Sequence, residues 1–174
     1  GSGEISDCKV NVAQIIGLGD PNNVANIGGV AGVNGLGGKI SKIIFGGGEG
    51  YEENFKAYNT SRYDEVNKAS ASVYVGTASD TTAYAHTGGV AGLNSGYVES
   101  IGNGISDLSS SVIVENYRGH VGGIVGYNRR SGHVNDVSTG SKWLVFAPQN
   151  AQDNGCGGIV GYLAFDNTLS NCVN

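Results

Sequence analysis

Gly28-Gly29-Val30-Ala31-Gly32-Val33-Asn34 is written three more times along the 174-residue chain. The later copies are Gly88-Gly89-Val90-Ala91-Gly92-Leu93-Asn94, Gly122-Gly123-Ile124-Val125-Gly126-Tyr127-Asn128 and Gly157-Gly158-Ile159-Val160-Gly161-Tyr162-Leu163. They begin at 28, 88, 122 and 157, which gives intervals of 60, 34 and 35 residues. Self-similarity at a near-constant period marks a repeat architecture, in which each unit buries its apolar face only against its neighbours.

The residue types within one copy suit a corner next to a tightly packed face. Glycine supplies positive φ where a chain bends and lets backbones approach closely. Val30, Val90, Ile124 and Ile159 are expected to stack as an inward aliphatic row. Ala31, Ala91, Val125 and Val160 form a second apolar row of the other parity. That parity also carries Thr87, Tyr127 and Tyr162, so the Val30 row is the better candidate for the inside. Asn34, Asn94 and Asn128 close the motif; Asn favours turns, and stacked Asn side chains bond along an axis.

A second element tests the register independently. It reads Gly3-Glu4-Ile5-Ser6-Asp7-Cys8, Gly38-Lys39-Ile40-Ser41-Lys42-Ile43, Gly96-Tyr97-Val98-Glu99-Ser100-Ile101 and Gly132-His133-Val134-Asn135-Asp136-Val137. A last copy, Asp166-Asn167-Thr168-Leu169-Ser170-Asn171-Cys172, lacks the glycine. The pattern is apolar, two polar, apolar, anchored at Ile5, Ile40, Val98, Val134 and Leu169. A third, looser element precedes each heptapeptide at 10–16, 71–76, 111–116 and 143–147, rich in the β-branched and aromatic residues that strands prefer. Three short strands in about 35 residues, repeated four times, predict an all-β fold: a three-sided right-handed parallel β-helix of about four coils, since parallel crossovers are right-handed. With coils about 4.8 Å apart, the array is ~20 Å tall. It is read as a single domain, 1–174. Ser2-Gly3 matches Ser95-Gly96 and Ser131-Gly132, so the start falls inside a repeat and the chain reads as a piece of a longer protein.

Composition agrees. Thirty-one glycines with only two prolines exclude a collagen-like or Pro-rich chain. A hydrophobic share of 39% against 14% charged residues is too apolar for charge-driven disorder. A net charge of −5 argues against a nucleic-acid partner or docking on anionic lipid. No apolar run reaches the ~18 residues of a membrane-spanning helix.

The first interval is longer by about 25 residues, which places an insert near 46–70. Insertions in repeat arrays leave through one face, often the binding face. Tyr51, Glu52, Glu53, Phe55, Tyr58 and Tyr63 of this insert are the candidate partner-binding residues. Phe55, Tyr58, Arg62 and Val66 have helical spacing, so a short helix competes with a plain surface loop there.

Gly122-Gly123-Ile124-Val125-Gly126-Tyr127-Asn128, followed by Ser131-Gly132-His133-Val134-Asn135-Asp136-Val137, resembles the GLUG repeat. Leu163 in place of Asn and Asp166 in place of Ser-Gly make the last copy a degenerate one. The resemblance implies a region of a large bacterial secreted or surface protein, such as an adhesin-like protein or the non-catalytic N-terminal region of an IgA-cleaving metallopeptidase. A solenoid scaffold does not itself name a ligand.

Side chains capable of chemistry are few. Cys8 and Cys172 share one ladder position four coils apart, ~19 Å by coil stacking, beyond disulfide reach. Cys156 stands in the row of Ile27, Thr87 and Val121. All three cysteines are expected as buried free thiols. His86 and His120 share a row in adjacent coils, where stacked, exposed rings are expected, or a shared metal if a third ligand joined them. The acids Glu49, Glu52, Glu53, Asp64 and Glu65 cluster in the insert, and suit a solvated loop, a calcium ion or a basic partner. The chain has no CxxC, HExxH, GxSxG or phosphate loop, and no cofactor is expected.

The functional expectation is a non-catalytic stalk or adhesive module, extracellular or on the bacterial cell surface. Its insert, with Tyr97, Tyr117 and Trp143, would face a host protein or glycan, because aromatic side chains offer rigid contact area at low entropic cost. Flanking domains of a parent chain are further partners. Two alternatives are a carbohydrate-active β-helix enzyme using paired acids and end-to-end self-association through open coil edges.

Overall fold

A computed structural model describes residues 2–10, 14–17, 20, 22–45, 71–77, 84–102, 111–139, 143–147 and 155–174. The strands fall into coils of four. The first coil holds β1 (Glu4–Val10), β2 (Gln14–Gly17), β3 (Ala25–Gly28) and β4 (Ala31–Asn34). The second holds β5 (Lys39–Phe45), β6 (Ala71–Thr77), β7 (Ala85–Gly88) and β8 (Ala91–Asn94). The third holds β9 (Tyr97–Ile101), β10 (Ser111–Glu115), β11 (Gly119–Gly122) and β12 (Val125–Asn128). The fourth holds β13 (His133–Ser138), β14 (Trp143–Phe146), β15 (Gly155–Gly157) and β16 (Val160–Leu163), after which β17 (Thr168–Val173) continues.

Like strands stack on like. Sheet A runs β1-β5-β9-β13-β17; sheet B, β2-β6-β10-β14; sheet C, β3-β7-β11-β15; sheet D, β4-β8-β12-β16. Every pairing between these strands is parallel. The chain is a parallel β-solenoid. Both sequence ladders are in register: Ile5 pairs with Ile40, Ile40 with Val98, Val98 with Val134 and Val134 with Leu169. Gly28 pairs with Gly88, Gly88 with Gly122 and Gly122 with Gly157.

The three expected sides become four sheets because the heptapeptide side folds in its middle. Its first glycine ends one strand, the next two residues bend, and the fourth residue starts another strand. The bend keeps its hydrogen bonds. The Val90 carbonyl accepts from the N–H groups of both Val30 and Ala31, at 3.0 and 3.1 Å, and Ile124 and Ile159 repeat the arrangement one coil on. The bend also settles the parity question. Val90 and Ile124 are fully buried, and so are their neighbours Ala91 and Val125; a corner lets consecutive residues both point inward, so both rows line the core. The motif glycines are there for closeness rather than positive φ. Among the described glycines, only Gly37, Gly102 and Gly119 have positive φ. A Cβ on Gly89 would instead lie 2.2 Å from the Gly123 carbonyl oxygen of the next coil, and one on Gly126 2.5 Å from the Thr87 nitrogen.

Sheet A solves a different problem. Ile40 and Ile43 are both buried, yet residues three apart in a regular strand point to opposite faces. The residue between them restores the match. Asp7, Lys42, Ser100, Asp136 and Asn171 occupy one row, and all have φ between 51° and 55°. A left-handed residue reverses the alternation once per coil, so the apolar-polar-polar-apolar pattern puts both apolar ends into the core.

The core is a stack of aliphatic rows from all four sheets, including Ile40, Ile43, Val73, Val75, Val90, Val98, Ile101, Val112, Val114, Val121 and Ile124. Fully burying each such side chain contributes roughly 1.5–3 kcal/mol. Phe45 and Trp143 meet edge to face inside it, with centroids 5.1 Å apart. Trp143 is thus packed against the core, not displayed as expected; it occupies the inward row of Val73 and Val112. The asparagine ladder forms as expected. Asn34 Nδ2 donates to Asn94 Oδ1, and Asn94 Nδ2 to Asn128 Oδ1, each at 2.8 Å. Leu163 ends the row, and Asn167 takes over by donating to the Asn128 and Ala164 carbonyls.

Candidate functional site

The bend between sheets C and D brings two sequence rows together. On sheet C, Asn26, His86, His120 and Gly155 lie in register. On sheet D, the register row is Val33, Leu93, Tyr127 and Tyr162. The His86 and His120 rings stack 5.1 Å apart, 3° from parallel. Tyr127 lies on His86 at 4.7 Å, and Tyr162 on His120 at 4.7 Å. Tyr84, just before β7, sets its ring edge against both histidines.

The histidines are stacked as expected but not exposed. They retain 8% and 9% exposure, because the tyrosines of sheet D and Tyr84 pack on them. The backbone N–H of Gly155 donates to His120 Nδ1 at 3.2 Å. The neutral ring therefore carries its proton on Nε2 and gives it to the Tyr84 hydroxyl oxygen, 3.0 Å away. His86 has a harsher setting. Its buried Nδ1 has no hydrogen bond, nor does Asn26 Oδ1 in the same row or Thr87 Oγ1 beside it. Burial, with His120 adding to it, pushes the His86 pKa down to about 4. With their planes parallel, the two imidazoles cannot aim their lone pairs at one point. Among the described residues no group of three or more His, Cys, Asp or Glu side chains is placed to hold a metal.

The strip is wet on one side. Val33 and Tyr162 are exposed, while Leu93 and Tyr127 are half-buried. The row thus presents two aliphatic residues and two tyrosines along the solenoid axis. A second ring pair lies on the outer face of sheet A, where Tyr97 stacks on His133 at 4.6 Å, next to the Lys39–Glu99 ion pair at 2.6 Å. Tyr97 is exposed and His133 half-buried. Tyr117 is half-buried, its N–H bonded to Thr77 Oγ1. On the outer face of sheet B, Tyr74 and Ile113 form a separate apolar cluster with Ile16, Leu144 and Phe146. There the Tyr74 hydroxyl donates to the buried Glu115 carboxylate at 2.9 Å. Burial and that neighbouring carboxylate raise the Tyr74 pKa.

The cysteines are free but not buried as expected: Cys8 and Cys156 are exposed, and Cys172 is half-buried. They belong to β1, β15 and β17, the outermost strands of their sheets, where the core rows open to solvent. Tyr51, Glu52, Glu53, Phe55, Tyr58 and Tyr63, with the acids and possible helix of the insert, lie outside the described residues. The anchors of that insert are described: it joins Phe45 of β5 to Ala71 of β6.

Sequence reasoning found the histidine pair but missed Tyr84, Tyr127 and Tyr162 as its partners. The two rows belong to different strands, and only the bend makes them neighbours. The signal was the tyrosine at the sixth motif position, next to a histidine two residues before the motif. Comparison with protein-family models, curated proteins and solved structures finds no match.

Proposed function

We propose that this chain is a non-catalytic display module, a GLUG-type repeat stalk of a secreted or surface bacterial protein that presents a face to a host protein or glycan. One observation carries the reading: the longest connection between strands, 46–70, joins β5 of sheet A to β6 of sheet B, whereas the first, third and fourth coils join the same two sheets through 11–13, 102–110 and 139–142. A stacked scaffold that accommodates one long connection between two of its strands is a common way to hold a recognition surface. The aromatic strip of Tyr127 and Tyr162 supplies a second contact surface of the kind that suits sugar rings and protein side chains.

The test is a screen of glycans and host extracellular proteins with the wild-type chain and with one lacking 48–69. Binding by the wild type and its loss in the deletion variant is the expected result. Binding retained by the deletion but lost in Tyr127→Ala/Tyr162→Ala would move the site to the strip. Binding by none of these proteins overturns the display reading and leaves a spacer.

A further inference from the structure

We infer that Tyr127 and Tyr162 form a site of oxidative modification, where a one-electron oxidant fed by peroxide joins the two rings through a carbon–carbon bond and so staples the third coil to the fourth. The inference does not rest on the display reading, because the reaction needs no partner bound to the chain. It starts from register. Tyr127 and Tyr162 hold the same motif position in β12 and β16 and are directly paired in sheet D. Paired residues of a parallel sheet send their side chains out of the same face, one strand spacing or ~4.8 Å apart. The rings keep that spacing, with centroids 5.1 Å apart and planes 42° from parallel. The tilt brings one edge of each ring nearer to the other than the centroids are.

The bend between sheets C and D holds the pair in place. Tyr127 lies on His86 at 4.7 Å and meets His120 at 5.6 Å, and Tyr162 lies on His120 at 4.7 Å. The two histidines are themselves stacked and buried. Both tyrosines are therefore backed by one wall of rings, and neither turns away without giving up its own stack. Holding two reacting groups side by side replaces a bimolecular encounter with an intramolecular step. Tyr127 is half-buried although it belongs to an inner coil, so the pair is reached from solvent. Other tyrosines are set differently. Tyr74 is buried, with its hydroxyl donated to Glu115. The Tyr84 hydroxyl is engaged by His120 Nε2, and Tyr97 stacks on His133 rather than on a second tyrosine.

The reaction is a two-electron oxidation, and a haem peroxidase with hydrogen peroxide is the class of oxidant it needs. Each phenol gives one electron to the peroxidase and its proton to water, which leaves two neutral phenoxyl radicals. Their unpaired electrons are shared with the ring carbons ortho to oxygen. Two such carbons, one from each ring, form the new bond. Each then sheds its hydrogen as a proton while a proton returns to the phenolic oxygen, and both rings are aromatic again. The two tyrosines lose two hydrogens in all, and one hydrogen peroxide is reduced to two waters.

The experiment treats the dilute, folded chain with a haem peroxidase and hydrogen peroxide, then separates the monomer and maps its peptides by mass spectrometry. The monomer should gain dityrosine fluorescence, and the peptide holding Tyr127 should be joined to the one holding Tyr162, with the loss of two hydrogens. Tyr127→Phe and Tyr162→Phe should each remove that product, and Tyr97→Phe should leave it unchanged. The same chain oxidised in denaturant, where the rings meet only by chance, should give roughly tenfold less of it or lower still. The cross-linked monomer should unfold at a higher denaturant concentration than the untreated one, because the bond closes a loop in the unfolded chain. Monomer dityrosine that persists at the wild-type level in both Phe variants would overturn the assignment. So would a yield of the joined peptides no higher in the folded chain than in the denatured one.

Discussion

Asn94 sits mid-ladder with no exposed surface. Its side chain accepts from Asn34 and from the Gly96 N–H and donates to Asn128 and the Gly96 carbonyl. Asn94→Ala strands polar groups of two neighbouring coils at once, so a loss of about 2–4 kcal/mol is expected in a urea or guanidinium titration. His86 makes a different prediction. Its folded pKa, about 4, lies below its ordinary value of 6.5. The unfolded chain therefore binds the proton more tightly. The neutral ring's contribution is complete above about pH 6.5 and is lost as pH falls towards 4. Discounted for screening of a ring near the surface, this amounts to about 2 kcal/mol. Denaturant midpoints measured across that window should fall with acidification. His86→Asn, which copies Asn26 in the same row, should flatten the profile there. The histidine stack was legible in the sequence because both residues keep the same offset from the motif. Their burial was not, since the covering tyrosines come from another strand.

At the scale of the strand, the left-handed row of sheet A is the device without which the apolar pattern would not work. A side chain other than Gly, Asn or Asp pays roughly 1–2 kcal/mol in that conformation. Lys42, at φ 54°, is an exposed case, and its ion pair with Asp7 at 3.5 Å is a surface one. Lys42→Gly should be neutral or raise stability by up to about 1 kcal/mol, and Lys42→Val should lower it by about 1–2 kcal/mol. Comparing the two midpoints under one set of conditions checks both the sign and the order. This row also explains a limit of the sequence reading. The register of both ladders was plain, because two motifs keep the same spacing. The parity reversal was hidden, because Asp, Lys, Ser, Asp and Asn announce a left-handed residue only where Asp or Asn happens to occupy the position. The fourth sheet was hidden for a related reason: the bend after Gly28 needs closeness, which leaves no more trace than a glycine already explained by a turn.

For the whole molecule, stability is a sum over neighbouring coils rather than a property of one central core. Amide exchange should therefore be slowest in β8 and β12, which have a strand on each side, and fastest in β1 and β17. A uniform protection pattern measured by mass spectrometry would mean that the stack opens all at once. The asparagine row runs along this same axis, and it has a sense. Asn34 donates to Asn94 and Asn94 to Asn128, so the carboxamide dipoles all point one way. Turning one amide over would set N–H against N–H on one side and oxygen against oxygen on the other. The row is thus a one-dimensional polar lattice that reverses as a block or not at all. The Nδ2 protons of Asn94 should accordingly exchange at the rate at which the block opens, far slower than a single side-chain rotation would allow.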